Sequence, residues 1–391
     1  MSEVEEQPGP LAGVRVVELA AFIAGPFCGM VLGDLGAEVV KVERPPKGDP
    51  SRYRDGPESR GYSAGFAAVN RNKRSALFDL GATPERAAVA ELIASADVVV
   101  TSLRPSARRK LGFDYETVRR TNPGLVYLSI TGVGEGEEAA DRPAFDVTAQ
   151  AQSGVLDVLG VAGDGHLQSK LYIADQLTGL YGAIGVLGAL VERRTTGVGR
   201  EVRTSLLRSA TAFTTINLYQ YLNALAGSAA PRAPRAAGYL LAGSDGLGFA
   251  VHIPPSPPEI WERFVAALDD GALRDDARFA SAKGRAENYE VLHELVRTVA
   301  KGRTRAEWLA RLERFDVAAS PLNRLGDVPD DPMVVAEGLV VEYPGPDGEP
   351  VRAAASGVEV VGSGGYRRAP MPGEDSDAVR GGLAALAEDS P

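Results

Sequence analysis

The sequence predicts an α/β fold, in which a large domain holds a doubly wound, mostly parallel, Rossmann-like sheet and a smaller α+β domain accompanies it. Short apolar runs that suit buried strands alternate with helical segments through the first half of the chain. Repeated strand–helix–strand units build parallel sheets with helices on both faces. At 391 residues the chain also exceeds the length that one hydrophobic core normally serves. Two domains are therefore expected.

The predicted elements of the large domain follow one another in that alternating order. Strands are predicted at residues 14–19, 37–42, 75–80, 96–101, 125–131 and 200–204. Helices are predicted at residues 24–35, 83–95, 115–120, 173–191 and 206–222. Ligands of open parallel sheets bind beyond the carboxyl ends of the strands. The binding site is therefore expected at the turns that begin near Ala21, Glu43, Leu80 and Ser102.

An Ala- and Pro-rich stretch separates the two predicted domains. The expected boundaries are residues 1–225 for the first part of the large domain, 226–237 for the linker, 238–325 for the small domain and 326–391 for a segment that returns to the large domain. The small domain is predicted to contain hairpin strands at 239–242 and 247–252 and helices at 258–268, 287–301 and 304–315. Thr304 and Glu307 have the spacing of a capping box. Further extended segments are predicted at 338–343 and 358–361.

Composition argues against several classes of function. The formal net charge of −10 disfavours nucleic acid as a partner, because phosphate backbones are bound by basic surfaces. The single cysteine, Cys28, allows no disulfide within the chain, and the three histidines lack the spacing of a helical metal pair. The sequence therefore predicts that the chain has no metal site. The opening residues lack the pattern of a secretory signal, so a cytoplasmic protein is expected. Residues 173–191 are apolar, but polar and charged residues at both ends argue against a membrane span.

Basic residues nevertheless cluster in two places that follow predicted strand ends. Residues 41–74 contain nine Lys and Arg against four Asp and Glu. The second cluster comprises Arg104, Arg108, Arg109 and Lys110. Such clusters on an acidic protein suit a small polyanion as ligand, and the alternative is that they are solvated surface charges.

Asp175 is the candidate catalytic residue. It opens the long apolar helix predicted from residue 173, where free N–H groups and the helix dipole favour an ionised carboxylate that can act as a nucleophile. The alternative is that Asp175 is an ordinary N-cap. Four glycines along the same helix predict close packing against another backbone, a second subunit being one candidate: Gly179, Gly182, Gly185 and Gly188.

Six segments of the sequence carry a resemblance to a known family. They read PLAGVRVVELAAFIAGPF, GAEVVKVERPPKGDPSR, NRNKRSALFDL, RPAFDVTAQAQSG, ADQLTGLYGAIGVLGALVERRTTGVGREV and TRAEWLARL. On these segments the chain resembles the family III CoA-transferases, the CaiB/BaiF group, which includes formyl-CoA transferase and the 2-methylacyl-CoA racemases. The resemblance runs from Pro10 to about Pro372.

The resemblance implies a transfer of CoA from an acyl-CoA donor to a carboxylic acid. It implies that Asp175, in the stretch DQLTG, forms an aspartyl anhydride and then an aspartyl-CoA thioester. It also implies an interlocked homodimer without a tightly bound cofactor or metal, and with acyl-CoA as substrate. The positions that match CoA-binding residues of the family are Arg44, Leu80, Ser102, Leu103, Arg104 and Lys110, and Phe145 and Asp146 match a pair near the thioester.

Two alternatives to CoA transfer stay open at this point. A 2-methylacyl-CoA racemase would use acid–base residues, but Phe145 stands where the racemase pattern has a histidine. The later glutamate of the racemases would fall near Pro257, with Glu259 close by. The second alternative is a CoA-binding protein without catalysis, against which the presence of Asp175 argues.

Overall fold

A computed structural model of the protein describes residues 8–54, 61–136, 139, 141–160, 171–223, 238–361 and 365–388. The chain divides into two compact units. The larger unit comprises Met1–Tyr219 and Gly338–Pro391, and the smaller unit comprises Gln220–Glu337. The larger unit is thus discontinuous in sequence, and the smaller one extends beyond the boundary expected at residue 325. The linker predicted at 226–237 lies outside the described residues.

Six parallel strands form the sheet of the larger unit, in the order β3-β2-β1-β4-β5-β6. This confirms the parallel α/β sheet that the alternation of segments predicts. The strands are β1 Arg15–Leu19, β2 Glu38–Glu43, β3 Lys73–Leu77, β4 Val98–Thr101, β5 Val126–Thr131 and β6 Glu201–Ser205. Val98, Val126 and Leu128 lie in the core of the unit with less than 1% of their surface exposed, as near-continuous apolar runs require in a sheet covered on both faces.

Helices connect these strands and cover the sheet. They are α1 Ala24–Asp34, α2 Ala64–Ala67, α3 Thr83–Ala94, α4 Pro105–Leu111, α5 Tyr115–Val118, α6 Asp146–Gln152, α7 Val155–Val158, α8 Ile173–Thr196 and α9 Leu206–Phe213. Helix α10, Thr215–Leu222, follows, and its last three residues belong to the smaller unit. The segment predicted as one helix over 206–222 is therefore two, because the helix breaks at Thr214. Proline residues at the starts of α3 and α4 lack the N–H that a first helical turn leaves unpaired.

The smaller unit is built on an antiparallel sheet of three strands, β7 Gly238–Ala242, β8 Gly248–His252 and β9 Ala319–Pro321. Its helices are α11 Glu259–Leu268, α12 Gly271–Asp275, α13 Ala282–Glu287, α14 Tyr289–Ala300, α15 Arg305–Arg314 and α16 Pro332–Ala336. The predicted hairpin is confirmed. The capping box at the start of α15 is confirmed as well, with Thr304 and Glu307 bonded reciprocally.

The C-terminal part of the larger unit differs from the prediction. Val340–Pro344 forms β10 as expected, but its antiparallel partner is β11, Pro350–Ala354. Residues 358–361, predicted to be extended, form no strand. The last helix, α17, spans Ser376–Glu388, and its first residues bond to β3 through Ser376 Oγ, which accepts the N–H of Leu77 at 3.0 Å.

Helix α8 packs closely on elements of the same chain. A Cβ at Gly179 would lie 2.6 Å from the carbonyl oxygen of Ala24 in α1, and a Cβ at Gly182 would lie 2.8 Å from the side chain of Leu128 in β5. These glycines thus serve packing within the subunit, whereas Gly188 faces open space. By length and composition α8 could also cross a membrane, as core helices of soluble proteins can.

Candidate active site

A cavity of about 250 Å³ lies at the carboxyl ends of β1, β4 and β5 in the larger unit. Strands β1 and β4 are neighbours in the middle of the sheet, where the strand order reverses direction. Doubly wound sheets bind their ligands at this switch point. The residues that face the cavity include Arg54, Ser102, Arg104, Thr131, Phe145 and Asp175.

Asp175 enters this cavity from the first turn of α8. It is the third residue of α8, which begins at Ile173 as predicted, and the N-cap is Tyr172, so the alternative that Asp175 is an ordinary N-cap is wrong. Its backbone N–H donates to Oδ1 of Asp146 at 3.0 Å. Burial, and then the nearby charge of Asp146, raise the pKa of the Asp175 carboxyl to about 7. The expected effect of the helix dipole is therefore outweighed, and the carboxyl is held ready to ionise near neutral pH.

Asp146 anchors the start of α8. It is the first residue of α6, and its Oδ2 accepts a short hydrogen bond from the side-chain amide of Gln150. The same amide nitrogen donates to the carbonyl oxygen of Leu171 at 3.0 Å. Gln150 is fully buried. Asp146 and Gln150 therefore tie α6 to the segment that carries Asp175.

The turn between β1 and α1 forms another part of the cavity wall. Its residue Phe22 has a φ of 65°, in the left-handed region that a bulky side chain rarely adopts. The backbone N–H of Phe22 donates to Oδ1 of Asp49, and that of Ala21 donates to Oγ of Ser102, both at 3.3 Å. The ring of Phe22 meets Phe145 edge to face, with centroids 6.2 Å apart. These contacts hold a strained turn whose aromatic side chain borders the site.

Fully buried charges lie beneath that turn. Nζ of Lys41 is 2.9 Å from carboxylate oxygens of both Glu18 and Asp49, and it donates to the carbonyl oxygen of Ala20 at 2.7 Å. Nζ of Lys73 is 2.8 Å from the other Glu18 oxygen. Both lysine and both acid side chains are at most 1% exposed. Pairs in such surroundings hold their geometry firmly, because an unpaired buried charge is costly.

Comparison with known proteins decides the family. The sequence model described as CoA-transferase family III matches residues 11–376. The chain belongs to this family. A succinate–glutarate CoA-transferase of Agrobacterium fabrum is 32% identical over 368 residues, which cover 89% of this chain and 88% of that protein. A succinyl-CoA:mesaconate CoA-transferase of Haloarcula hispanica is 32% identical, with 90% of each chain covered.

A solved structure agrees with this assignment. The crystal structure of a CaiB/BaiF family protein from Brucella suis superposes with a TM-score of 0.81 at 31% identity, covering 96% of this chain and all of that chain. The resemblance to family III CoA-transferases is thereby confirmed, and the protein is a CoA-transferase. The racemase and the non-catalytic alternatives lose their support accordingly.

The predicted CoA-binding residues of the transferase fall into two groups. Ser102, Arg104 and Phe145 face the same cavity as Asp175. Asp146 lies behind Asp175 and bonds to its backbone. The structure thus brings four of the predicted residues to the candidate nucleophile.

The remaining predicted positions lie away from the cavity wall. Leu80 and Leu103 are partly buried against the hydrophobic core on the other face of the sheet. Arg44 is exposed directly after β2, and Lys110 is exposed in the last turn of α4. Their assignment to CoA stays a prediction that rests on the family resemblance.

The basic clusters of the transferase are largely structural. Arg52 pairs with Glu43 at 2.6 Å, and Arg108 pairs with Glu135 at 2.6 Å. The interpretation of the clusters as polyanion sites is therefore wrong for the buried members, which are Lys41, Arg52, Arg71, Lys73 and Arg108. The exposed members near the cavity or on α4 are Arg54, Arg104, Arg109 and Lys110.

Three further cavity residues were not singled out from the sequence: Arg54, Thr131 and Arg142. Thr131 ends β5, and its Oγ1 is buried without a hydrogen-bond partner among the described residues. A strand-end position was the signal that could have found it.

Within the described part of the chain, His, Cys, Asp and Glu side chains gather nowhere in a group that could hold a metal ion.

Proposed function

We propose that this enzyme transfers CoA between carboxylic acids through covalent intermediates on Asp175. The observation that carries the proposal is the position of the Asp175 carboxyl, in the wall of the cavity at the switch point of the sheet. A carboxylate at this position contacts the ligand, because doubly wound sheets bind their ligands at the switch point. A carboxylate is also a competent nucleophile toward a thioester when water is kept away.

In the first half of the reaction, an Asp175 carboxylate oxygen attacks the thioester carbonyl carbon of the donor. The carbon–sulfur bond breaks, CoA leaves as a thiolate, and a mixed anhydride joins Asp175 to the donor acyl group. The thiolate then attacks the side-chain carbonyl carbon of Asp175 and releases the donor as a free carboxylate. The enzyme now holds an aspartyl-CoA thioester.

In the second half, the acceptor carboxylate attacks the same Asp175 carbonyl carbon and expels the CoA thiolate again. The thiolate attacks the acceptor carbonyl of the new anhydride, which forms acceptor-CoA and returns the Asp175 carboxylate. One thioester is lost and one is formed, so the cycle balances without a nucleoside triphosphate. With a pKa of about 7, roughly half of the Asp175 side chains are carboxylates at neutral pH, and this fraction grows as the pH rises.

We place the CoA moiety on the side of the cavity formed by the turn after β4. Ser102 and Arg104 face the cavity there, and the exposed Arg109 follows in α4. Cationic side chains suit the phosphates of CoA. Phe22 and Phe145 border the path toward Asp175 and offer apolar contact to the pantetheine chain.

We infer that the acids exchanged are small dicarboxylic acids. Relatives that match about nine tenths of the chain are named for succinate, glutarate and mesaconate, each with two carboxyl groups. A cavity of about 250 Å³ suits an acyl group of this size together with the end of the pantetheine chain.

We also propose that the functional unit is a homodimer. Helices α8 and α9 and the start of α10 expose a run of large apolar side chains, which are Leu180, Ile184, Val191, Phe213 and Ile216. Between 41% and 66% of each of these side chains is exposed in the single chain. Faces of this kind are typical of subunit interfaces. Light scattering of the purified protein should give twice the chain mass, and a monomer would contradict the proposal.

The covalent mechanism is tested by trapping. The enzyme is incubated with succinyl-CoA and hydroxylamine, and the intact mass and the labelled peptide are measured. Hydroxylamine should convert the activated Asp175 to a hydroxamate in the natural protein and not in Asp175→Ala. Asp157→Ala removes an exposed aspartate of α7 and serves as the matched control, which should label normally. Labelling of Asp175→Ala at the natural rate would refute the mechanism.

A further inference from the structure

We propose that Arg54 binds the free carboxylate of a dicarboxylic acyl group while its thioester reacts at Asp175. Arg54 would then be the residue that selects dicarboxylic over monocarboxylic acyl-CoA. The inference rests on the proposed function, because it assigns the substrate contact of the same site.

Arg54 and Asp175 face one cavity from different elements. Asp175 comes from the first turn of α8, and Arg54 directly follows the 3-10 turn Pro50–Tyr53. The positive charge of Arg54 acts on the Asp175 carboxyl, since it lowers the pKa of that group against the effect of burial. The guanidinium is therefore within electrostatic reach of the reacting carboxylate.

The turn that carries Arg54 is fixed by buried contacts. Asp49 caps it by accepting the N–H of Ser51 at 2.8 Å, and Ser63 donates to the carbonyl oxygen of Ser51 at 2.7 Å. Arg52 is 1% exposed, pairs with Glu43 at 2.6 Å and donates to the carbonyl oxygen of Pro370 at 2.8 Å. A side chain that leaves such a turn starts from a well-defined backbone position.

Arg52 and Arg54 have different environments although only one residue separates them. Arg52 is committed to Glu43, whereas Arg54 is exposed and forms no ion pair with the described residues. Arg104, another cation of the cavity wall, differs as well, because it is the N-cap residue of α4 and so lies on the α4 side of the cavity. Asp141 lies on that side too: the N–H of Ser106, and more weakly the charge of Arg104, lower the pKa of its carboxyl. Arg54 is thus the cation suited to the acyl end.

The chemistry of the acyl group requires a cation at this place. Attack needs the thioester carbonyl within about 3 to 3.5 Å of the Asp175 oxygen. The second carboxylate of a four- or five-carbon acyl group then lies only a few bonds away, close to the negative charges of Asp175 and Asp146. Like charges at this separation repel each other unless a counterion is present. A guanidinium supplies the charge and two parallel donors that match a carboxylate.

The experiment compares succinyl-CoA with butyryl-CoA, which has the same number of carbons and lacks the second carboxylate. The rate of hydroxylamine-trapped Asp175 is measured with both donors for the natural enzyme, Arg54→Gln and Arg54→Lys. We expect Arg54→Gln to lower the succinyl-to-butyryl rate ratio roughly 10- to 100-fold, as loss of a charged hydrogen-bond pair predicts. Arg54→Lys should restore part of the ratio.

Arg142→Gln is the matched control, because it removes another cation from the same cavity wall. The ratio should stay near its natural value in this variant. If Arg54→Gln left the succinyl-to-butyryl rate ratio unchanged, either with equal loss of both rates or with no loss, the assignment of Arg54 would be overturned. CoA transfer itself would still stand. A natural enzyme that labels Asp175 with neither donor nor with any other acyl-CoA would instead refute the proposed function, and this assignment with it.

Discussion

The backbone N–H of Asp175 donates to Oδ1 of Asp146 at 3.0 Å, so the proposed nucleophile is held by a second carboxylate. This contact has two effects. It fixes the first turn of α8 against α6, and it places a negative charge beside the Asp175 side chain. Burial and that charge raise the pKa of the Asp175 carboxyl to about 7. Because of the raised pKa, activity should depend on pH, and removing the charge of Asp146 should change that dependence.

Asp146→Asn should move the pH dependence of the reaction to lower pH. Asparagine keeps an oxygen that accepts the Asp175 N–H but removes the charge, so the pKa of Asp175 should fall. The attacking form is the carboxylate, and therefore kcat/KM of the natural enzyme should rise with pH through about 7. The measurement is the pH profile of kcat/KM with succinyl-CoA. Identical midpoints in the two enzymes would show that Asp146 does not influence the nucleophile.

Asp175→Asn should stabilise the protein at pH 8 and not at pH 4. The folded-state pKa of about 7 lies above the ordinary value of 3.8, so the native state binds the proton more tightly than the unfolded chain does. Stability of the natural enzyme is therefore lost as pH rises from about 4 to about 7, whereas asparagine cannot ionise. The gain at pH 8 can reach about 4 kcal/mol, since each pKa unit corresponds to about 1.4 kcal/mol.

Urea unfolding of both proteins at pH 4 and pH 8 measures this difference directly. A gain of the same size at both pH values would point to packing of the asparagine and would contradict the role of ionisation. Loss of activity with gain of stability is the usual trade-off at a catalytic group.

Lys41→Met should destabilise the fold strongly. Lys41 is fully buried and neutralises Glu18 and Asp49, so its removal leaves buried carboxylates without their partner. Breaking a buried pair in this way costs about 3 to 5 kcal/mol. The midpoint of urea unfolding should fall accordingly. Glu192→Gln, which breaks the exposed pair with Arg200, is the control and should leave the midpoint unchanged. Equal effects of the two substitutions would contradict the structural role of Lys41.

Much of the large domain follows from the sequence because its strands are buried on both faces. Such strands read as continuous apolar runs, as in the stretch from Val98, and they alternate with helices in an order that specifies parallel neighbours. The third strand is less regular, because it carries polar side chains that contact buried acids: Lys73 pairs with Glu18, and Ser75 donates to Glu43. Its predicted position is therefore wrong by two residues at the start and three at the end.

The site was predictable only in part, because charge along the sequence does not reveal burial. Arg52 and Arg54 occur in the same basic stretch, yet Arg52 is buried against Glu43 and Arg54 faces the cavity. Likewise, Asp146 resembles a ligand-binding residue in sequence, while its contact to Asp175 depends on how α6 meets α8. Long-range pairing of this kind has no local signal in a single sequence.

The contact between α1 and α8 provides a prediction with a control in another helix. A Cβ at Gly179 would lie 2.6 Å from the carbonyl oxygen of Ala24 and 2.9 Å from the backbone nitrogen of Cys28, so Gly179→Ala must push the two helices apart. This moves the turn that carries Asp175 relative to the β1–α1 turn, and a displacement of about 1 Å can lower activity about 100-fold. Overpacking should also cost about 1 to 3 kcal/mol of stability.

Gly381→Ala in α17 is the control, because a Cβ there meets open space and the residue lies outside the proposed subunit interface. Alanine is the better helix former, so this variant should be as active as the natural enzyme and more stable by about 0.5 to 1 kcal/mol. Unfolding midpoints and kcat with succinyl-CoA separate the two variants. If Gly179→Ala kept natural activity, α1 would not be needed to position Asp175.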